Sequence, residues 1–160
     1  MKISIIGAFI ALSLMSGTFS VHATGLLISD VWVRAAPPNA PALAAFMKLE
    51  NQSTSEITIV GASTTLPVNR VELHRTIMAD GMMKMVLQKN IPVAAGSSTL
   101  LEPGSWHIML IKPDSVPVMG ETVQLTLQLG DGSSQTVTAR VKKGKMKKQG
   151  MMKCGAGMKH

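Results

Sequence analysis

Residues 24–141 of this 160-residue chain predict an all-β domain, an antiparallel β-sandwich or barrel. Short runs rich in Val, Ile, Leu and Thr recur along it, and Gly, Pro, Asp and Ser clusters separate them. No stretch carries an apolar stripe of helical period. Residues 26–34 (LLISDVWVR) alternate as a first strand, closed by Ala35-Ala36-Pro37-Pro38. The prolines up to Pro41 remove donors and fix φ, which excludes regular helix or a central strand there. Residues 44–50 (AAFMKLE) read as strand rather than helical turn, because the polar run 51–55 after them forms a turn.

Residues 57–62 are short and β-branched, hence another strand. Runs 70–78 and 82–87 flank Ala79-Asp80-Gly81, a hairpin loop with its Asp-Gly. Ile91-Pro92 opens a further segment, and Gly96-Ser97-Ser98 precedes apolar 99–101. Pro103-Gly104 turns the chain into 106–112, after which Pro113 and Pro117 bracket a loop. Residues 122–129 (TVQLTLQL) alternate cleanly, with Val123, Leu125, Leu127 and Leu129 on one face, and Gly130-Asp131-Gly132 turns them into 135–141. This makes eight or nine strands in one domain, without internal repeats.

Aromatic residues make up only 3% of the chain and there is no Tyr, so the core must be aliphatic with help from Met. Residues 1–23 read as an export signal: Lys2, an apolar stretch at 3–15, and Val21-His22-Ala23 as a small-residue cleavage site. Ser4, Gly7 and Ser13 interrupt that stretch, which falls short of the ~20 residues of a membrane span. Cleavage is expected after Ala23. Cys154 is the sole cysteine, so no intrachain disulfide forms and the core alone holds the fold.

The formal charge of +7 belongs to the C-terminus. Residues 24–139 hold seven basic side chains against nine acids, whereas 140–160 hold eight basic ones and no acid. With so few aromatics for stacking and an export signal, a nucleic-acid partner is excluded. Residues 142–160 read as a flexible basic tail.

The chemistry concentrates between His74 and Met109, which holds both histidines of the domain and five of the 13 methionines. Met as a flexible core filler explains some of them, and a single His in an apolar strand is more often structural than a ligand. Strand alternation puts Trp106, Ile108 and Leu110 on a core face, and His107, Met109 and Ile111 on the other. Met83, Met85 and Leu87 share a face, with His74 one hairpin arm away. His74, Met85, His107 and Met109 are the candidate metal ligands. Two imidazoles and two thioethers form the neutral, soft donor set that suits Cu(I).

These four residues match the spacing H-x10-M-x21-H-x-M without a gap. With VELHRTIMADGMMKM, LEPGSWHIMLIKP and the early DVWVRAAPPNAPALAAFMKLEN, the chain resembles the periplasmic PCuAC copper chaperones over residues 26–141. The resemblance implies a cupredoxin-like Greek-key barrel and one Cu(I) on His74, Met85, His107 and Met109. It also implies a periplasmic location and delivery toward the CuA site of a cytochrome c oxidase subunit or another copper acceptor. A thiol-reducing protein or second copper chaperone is the further implied partner. One departure is Arg75, where members of the family carry an additional Met.

The tail adds Met146, Met151, Met152, Cys154, Met158 and His160, all copper donors. His/Met-rich extensions of PCuAC-like proteins suggest a second copper site there, including Cu(II); a basic end touching anionic membrane is the competing reading. The protein is expected to be a monomer, with Cys154 able to link two chains by a disulfide. No catalytic triad, phosphate loop or open zinc site is readable, which argues against an enzyme. A blue-copper electron carrier needs a Cys ligand within the domain, and the domain has none. Copper storage or resistance is the remaining alternative to delivery.

Overall fold

The computed structural model describes residues 25–144, so the expected signal peptide and the tail donors from Met146 to His160 lie outside the described residues. Ten strands are present: β1 Leu26–Arg34, β2 Ala42–Asn51, β3 Ile57–Thr64, β4 Val68–Ala79, β5 Met82–Gln88, β6 Ile91–Val93, β7 Ser98–Leu101, β8 Trp106–Pro113, β9 Thr122–Leu129 and β10 Ser134–Lys142. No helix occurs among the described residues. The expected eight or nine strands become ten because β6 and β7 span three and four residues, too short to show a period.

The strands form one sheet in the order β5-β4-β8-β7-β2-β1-β10-β9-β3-β6, with β8 also pairing with β2. Pairing is antiparallel except at two places. The first and last strands run parallel, with Trp32 opposite Arg140, and β7 meets β8 in parallel at Leu101 and Trp106. The sheet is therefore mixed rather than purely antiparallel. A parallel pair requires a long connection between its strands, and the β1–β10 pair uses the whole domain as that connection.

The sheet closes on one aliphatic core. Val33, Leu43, Leu49, Ile59, Ile91, Ile108, Leu110, Leu125 and Leu127 are fully buried within a single cluster that draws on strands from both halves of the order. Leucines on β9 alternate inward as the sequence predicts, with Leu125 and Leu127 at 0% exposure. On β8, Ile108 and Leu110 face this core and Trp106 packs at its edge.

A bulge in β1 decides what lies on the outer face. Two residues of β1, Asp30 and Val31, oppose one of β2, Met47, between the pairs Ser29–Lys48 and Trp32–Phe46, and Asp30 takes φ 51° there. The extra residue reverses the alternation downstream. Val33 consequently enters the core while Trp32 turns to the outer face, its ring 4.6 Å from that of Phe46.

Asn51 ends β2 and is buried. Its Nδ2 donates to the carbonyls of Ser55 (2.7 Å) and Val93 (2.9 Å), and its Oδ1 accepts from the Ser53 amide (2.9 Å) and hydroxyl (2.7 Å). One side chain thus ties the β2–β3 turn to β6. Replacing it leaves the Val93 carbonyl without this donor, in a buried setting. Asn51→Ala is expected to lower unfolding free energy by about 2–4 kcal/mol in urea titrations; a change within error would show that the turn holds without it.

Candidate metal centre

The four sequence-predicted ligands lie on one face of the β5-β4-β8-β2 portion of the sheet. His74 on β4 stands directly opposite His107 on β8. Glu72 stands opposite Met109, and Thr76 opposite Met85 on β5. Residues two apart on a strand share a face, as do directly paired residues. His74 therefore has His107 beside it, Met109 diagonally on one side and Met85 diagonally on the other. His74 is the hub of the group, and its direct partner on β5 is Leu87.

The two imidazole rings lie 5.8 Å apart between centroids. An ion about 2 Å from one nitrogen of each ring would separate the centroids by roughly 5–6 Å, so one ion fits between them. Each ring has one nitrogen committed and one free. His107 Nδ1 donates to the Ser105 carbonyl at 3.0 Å, and His74 Nε2 donates to the Glu72 carboxylate at 2.9 Å. In the neutral rings these hydrogen bonds leave the lone pairs on His107 Nε2 and His74 Nδ1. Both of these atoms are buried and without a hydrogen-bond partner among the described residues. Buried polar atoms are otherwise nearly always satisfied, and a metal ligand whose second nitrogen is held by an oxygen shows this same pattern.

The Ser105 carbonyl also accepts the Thr76 amide at 3.0 Å. One oxygen thus clamps β4 and orients the His107 ring. Glu72 in turn is held by His74 first and by Arg70, and these two hydrogen bonds keep its carboxyl below the ordinary value, ionised and able only to accept. The carboxylate offsets part of the charge an ion would bring. Burial depresses the pKa of His107 below the ordinary imidazole value, although the Ser105 carbonyl pulls the other way.

The expectation that His107 faces away from the core is met, but that face is not open to water at this point. His107 is 3% exposed. Phe46, 6.3 Å away between ring centroids, and Trp32 beyond it build an aromatic wall outside the aliphatic core cluster. Where the wall ends, the small side chains of Ala42 and Ala44 leave a pocket of ≈ 200 Å³ whose lining includes His107, Met109, Met85 and Arg34. Met109 is half-buried beside Ala44, whereas Met85 on the edge strand is 65% exposed. The centre therefore runs from a buried, clamped histidine to a solvent-facing thioether.

Arg75, which departs from the family pattern, points to the opposite face, with its guanidinium 4.9 Å from the centroid of Trp106. A side chain at this position stands across the sheet from the four candidates. Sequence reasoning missed Glu72, Ser105 and Phe46. Glu72 had a readable signal, since a residue two before His74 on a strand shares its face; a backbone carbonyl has none. No three His, Cys, Asp or Glu side chains gather into a metal-binding group among the described residues. The free donors are imidazole and thioether.

A family model described as "Putative lipoprotein LpqE-like" matches residues 26–141. The "Putative lipoprotein Lxx21020" of Leifsonia xyli subsp. xyli (strain CTCB07) is 31% identical over 137 residues, 85% of this chain and 81% of its own. Among solved structures, apo-DR1885 from Deinococcus radiodurans is 30% identical, with a TM-score of 0.60 over 90% of this chain and 95% of that one. CuI-DR1885 from the same organism is 35% identical, with a TM-score of 0.54 over 80% and 83%. The copper-bound PCuAC domain from PmoF2 shares the fold, at 18% identity and a TM-score of 0.63 over 75% of this chain and 94% of that one. By the match across its whole β domain, this chain belongs to the LpqE-like family, which is the PCuAC family.

Proposed function

We propose that this chain is a copper chaperone of the cell envelope. It binds one Cu(I) through His74 Nδ1, His107 Nε2 and the thioethers of Met85 and Met109, then passes it to a copper-accepting protein. The observation that carries this reading is the pair of buried imidazole nitrogens, without a hydrogen-bond partner among the described residues, on the face that bears both thioethers. Neutral soft donors favour Cu(I) over Cu(II) and over hard divalent ions. The copper-loaded relative DR1885, at 35% identity, supports the choice of metal, and the signal-like pattern of residues 1–23 and the lipoprotein relative support the compartment.

The division of exposure favours delivery over storage. His107, buried and held by Ser105, anchors the ion; Met85, on the edge strand and facing solvent, is the ligand an incoming donor can displace. Copper then moves by ligand exchange, without change of oxidation state. The acceptor we assign is the CuA site of cytochrome c oxidase, with a thiol reductant keeping the acceptor's cysteines able to bind. The tail donors Met146, Met151, Met152, Cys154, Met158 and His160 are assigned to a second, separate copper site.

Cu(I) competition titrations test the ligand set. Met85→Ala/Met109→Ala is expected to abolish tight binding, and Glu72→Ala, which frees the His74 ring, to weaken it about 10–100-fold. Wild-type affinity in the double variant contradicts the assignment. Copper-free protein also carries a pH signature of the centre. Because burial depresses the His107 pKa, the unfolded chain takes up a proton that the folded protein resists. Stability is therefore fully present above the ordinary imidazole value of about 6.5 and falls as pH drops through it toward the depressed folded value. Urea midpoints measured from pH 8 to pH 5.5 should show that decline, and His107→Gln should flatten it. An equal slope in the variant would assign the decline to another group.

A further inference from the structure

The β4–β5 hairpin projects methionines that neither the core nor the four-ligand centre uses. Asp80 and Gly81 take φ 53° and 74°, the left-handed pair that closes a two-residue hairpin loop. This turn sets Met78 directly opposite Met83. β5 ends the strand order, and edge strands ordinarily carry charge or proline on exposed positions. Here Met78 and Met83 are 65% and 63% exposed, and Lys84 is the one charged residue of the strand.

Face and spacing connect this pair to the metal centre. Met78 lies four residues along β4 from His74, and Met83 two residues along β5 from Met85, so all four share the outer face. Directly paired residues on a sheet hold their Cβ atoms about 4.5–5.5 Å apart, within reach of two flexible thioethers closing on one ion. Two thioethers without imidazole hold a soft monovalent ion weakly, which suits capture and release. Met82, paired with Ala79, falls on the opposite face and has no part in this.

We propose that Met78 and Met83 form a further, solvent-facing thioether site on the hairpin that takes up Cu(I) and passes it through Met85 to the buried centre. This rests on the reading of His74, Met85, His107 and Met109 as the Cu(I) ligands. The copper–sulfur bonds to Met78 and Met83 are exchanged first for one to Met85 and then for those to Met109 and the two imidazole nitrogens. The ion stays monovalent, and no proton or electron moves.

Silver(I), a redox-inert stand-in for Cu(I), tests the site on the full-length protein with its methionine methyl groups isotopically labelled. Once the tail donors, Cys154 among them, have taken their share, the methyl signals of Met85 and Met109 are expected to shift before those of Met78 and Met83. Met78→Leu/Met83→Leu keeps the surface apolar and removes only the sulfurs. In stopped-flow loading with Cu(I), this variant should fill the first site about tenfold more slowly at unchanged affinity, because the local supply of ion is lost. Unmoved Met78 and Met83 signals, or a wild-type loading rate in the variant, would overturn the proposal. Shifts at Met78 and Met83 with none at Met85 and Met109 would instead sustain the hairpin site and overturn the four-ligand reading.

Discussion

The pairing of β4 with β8 in the register that sets His74 opposite His107 is the constraint from which the proposed metal centre follows. A slip of one residue would carry His74 through the sheet to the aliphatic side, because side chains alternate with period two. What holds the register lies mostly on the other face. Leu73 and Ile108 are paired and buried in the core, and Arg75 lies over Trp106 next to them. At the end of the pairing, the Ser105 carbonyl takes both the Thr76 amide and the His107 ring N–H. Packing on one face thus sets the donor geometry on the other.

The two faces have different chemistry for a reason. Inside, Leu, Ile and Val fill a core that needs no polar partner. Outside, the β1 bulge turns Trp32 onto Phe46, and that wall shelters His107 from water while Ala42 and Ala44 leave room beside Met109. Burying an imidazole without a partner for its second nitrogen costs free energy. Two such nitrogens on neighbouring rings are the observation behind the proposed metal site. In the proposed centre, buried His107 is the anchored end and exposed Met85 the exchangeable one.

Much of this was legible in the sequence where the period was long enough to read. β1 spans the residues its alternation marked, and the leucine ladder of β9 points inward as its pattern required. His107 and Met109 share a face because they are two apart on one strand, and the Asp80-Gly81 loop set the hairpin that brings Met85 beside His74. Other features depend on partners far away in the chain. Nothing local in β1 announces its parallel union with β10 or the bulge at Asp30, and the three residues of β6 are too few for any pattern. The burial of His107 depends on Phe46, sixty-one positions earlier, and so escapes a reading of β8 alone.

X-ray absorption on the copper-loaded protein, with and without residues 142–160, is the most direct test of the central claim. The account predicts that the tail-deleted protein keeps one Cu(I) with two nitrogen and two sulfur donors near tetrahedral geometry. A first shell without sulfur, or loss of all bound copper with the tail, would contradict it.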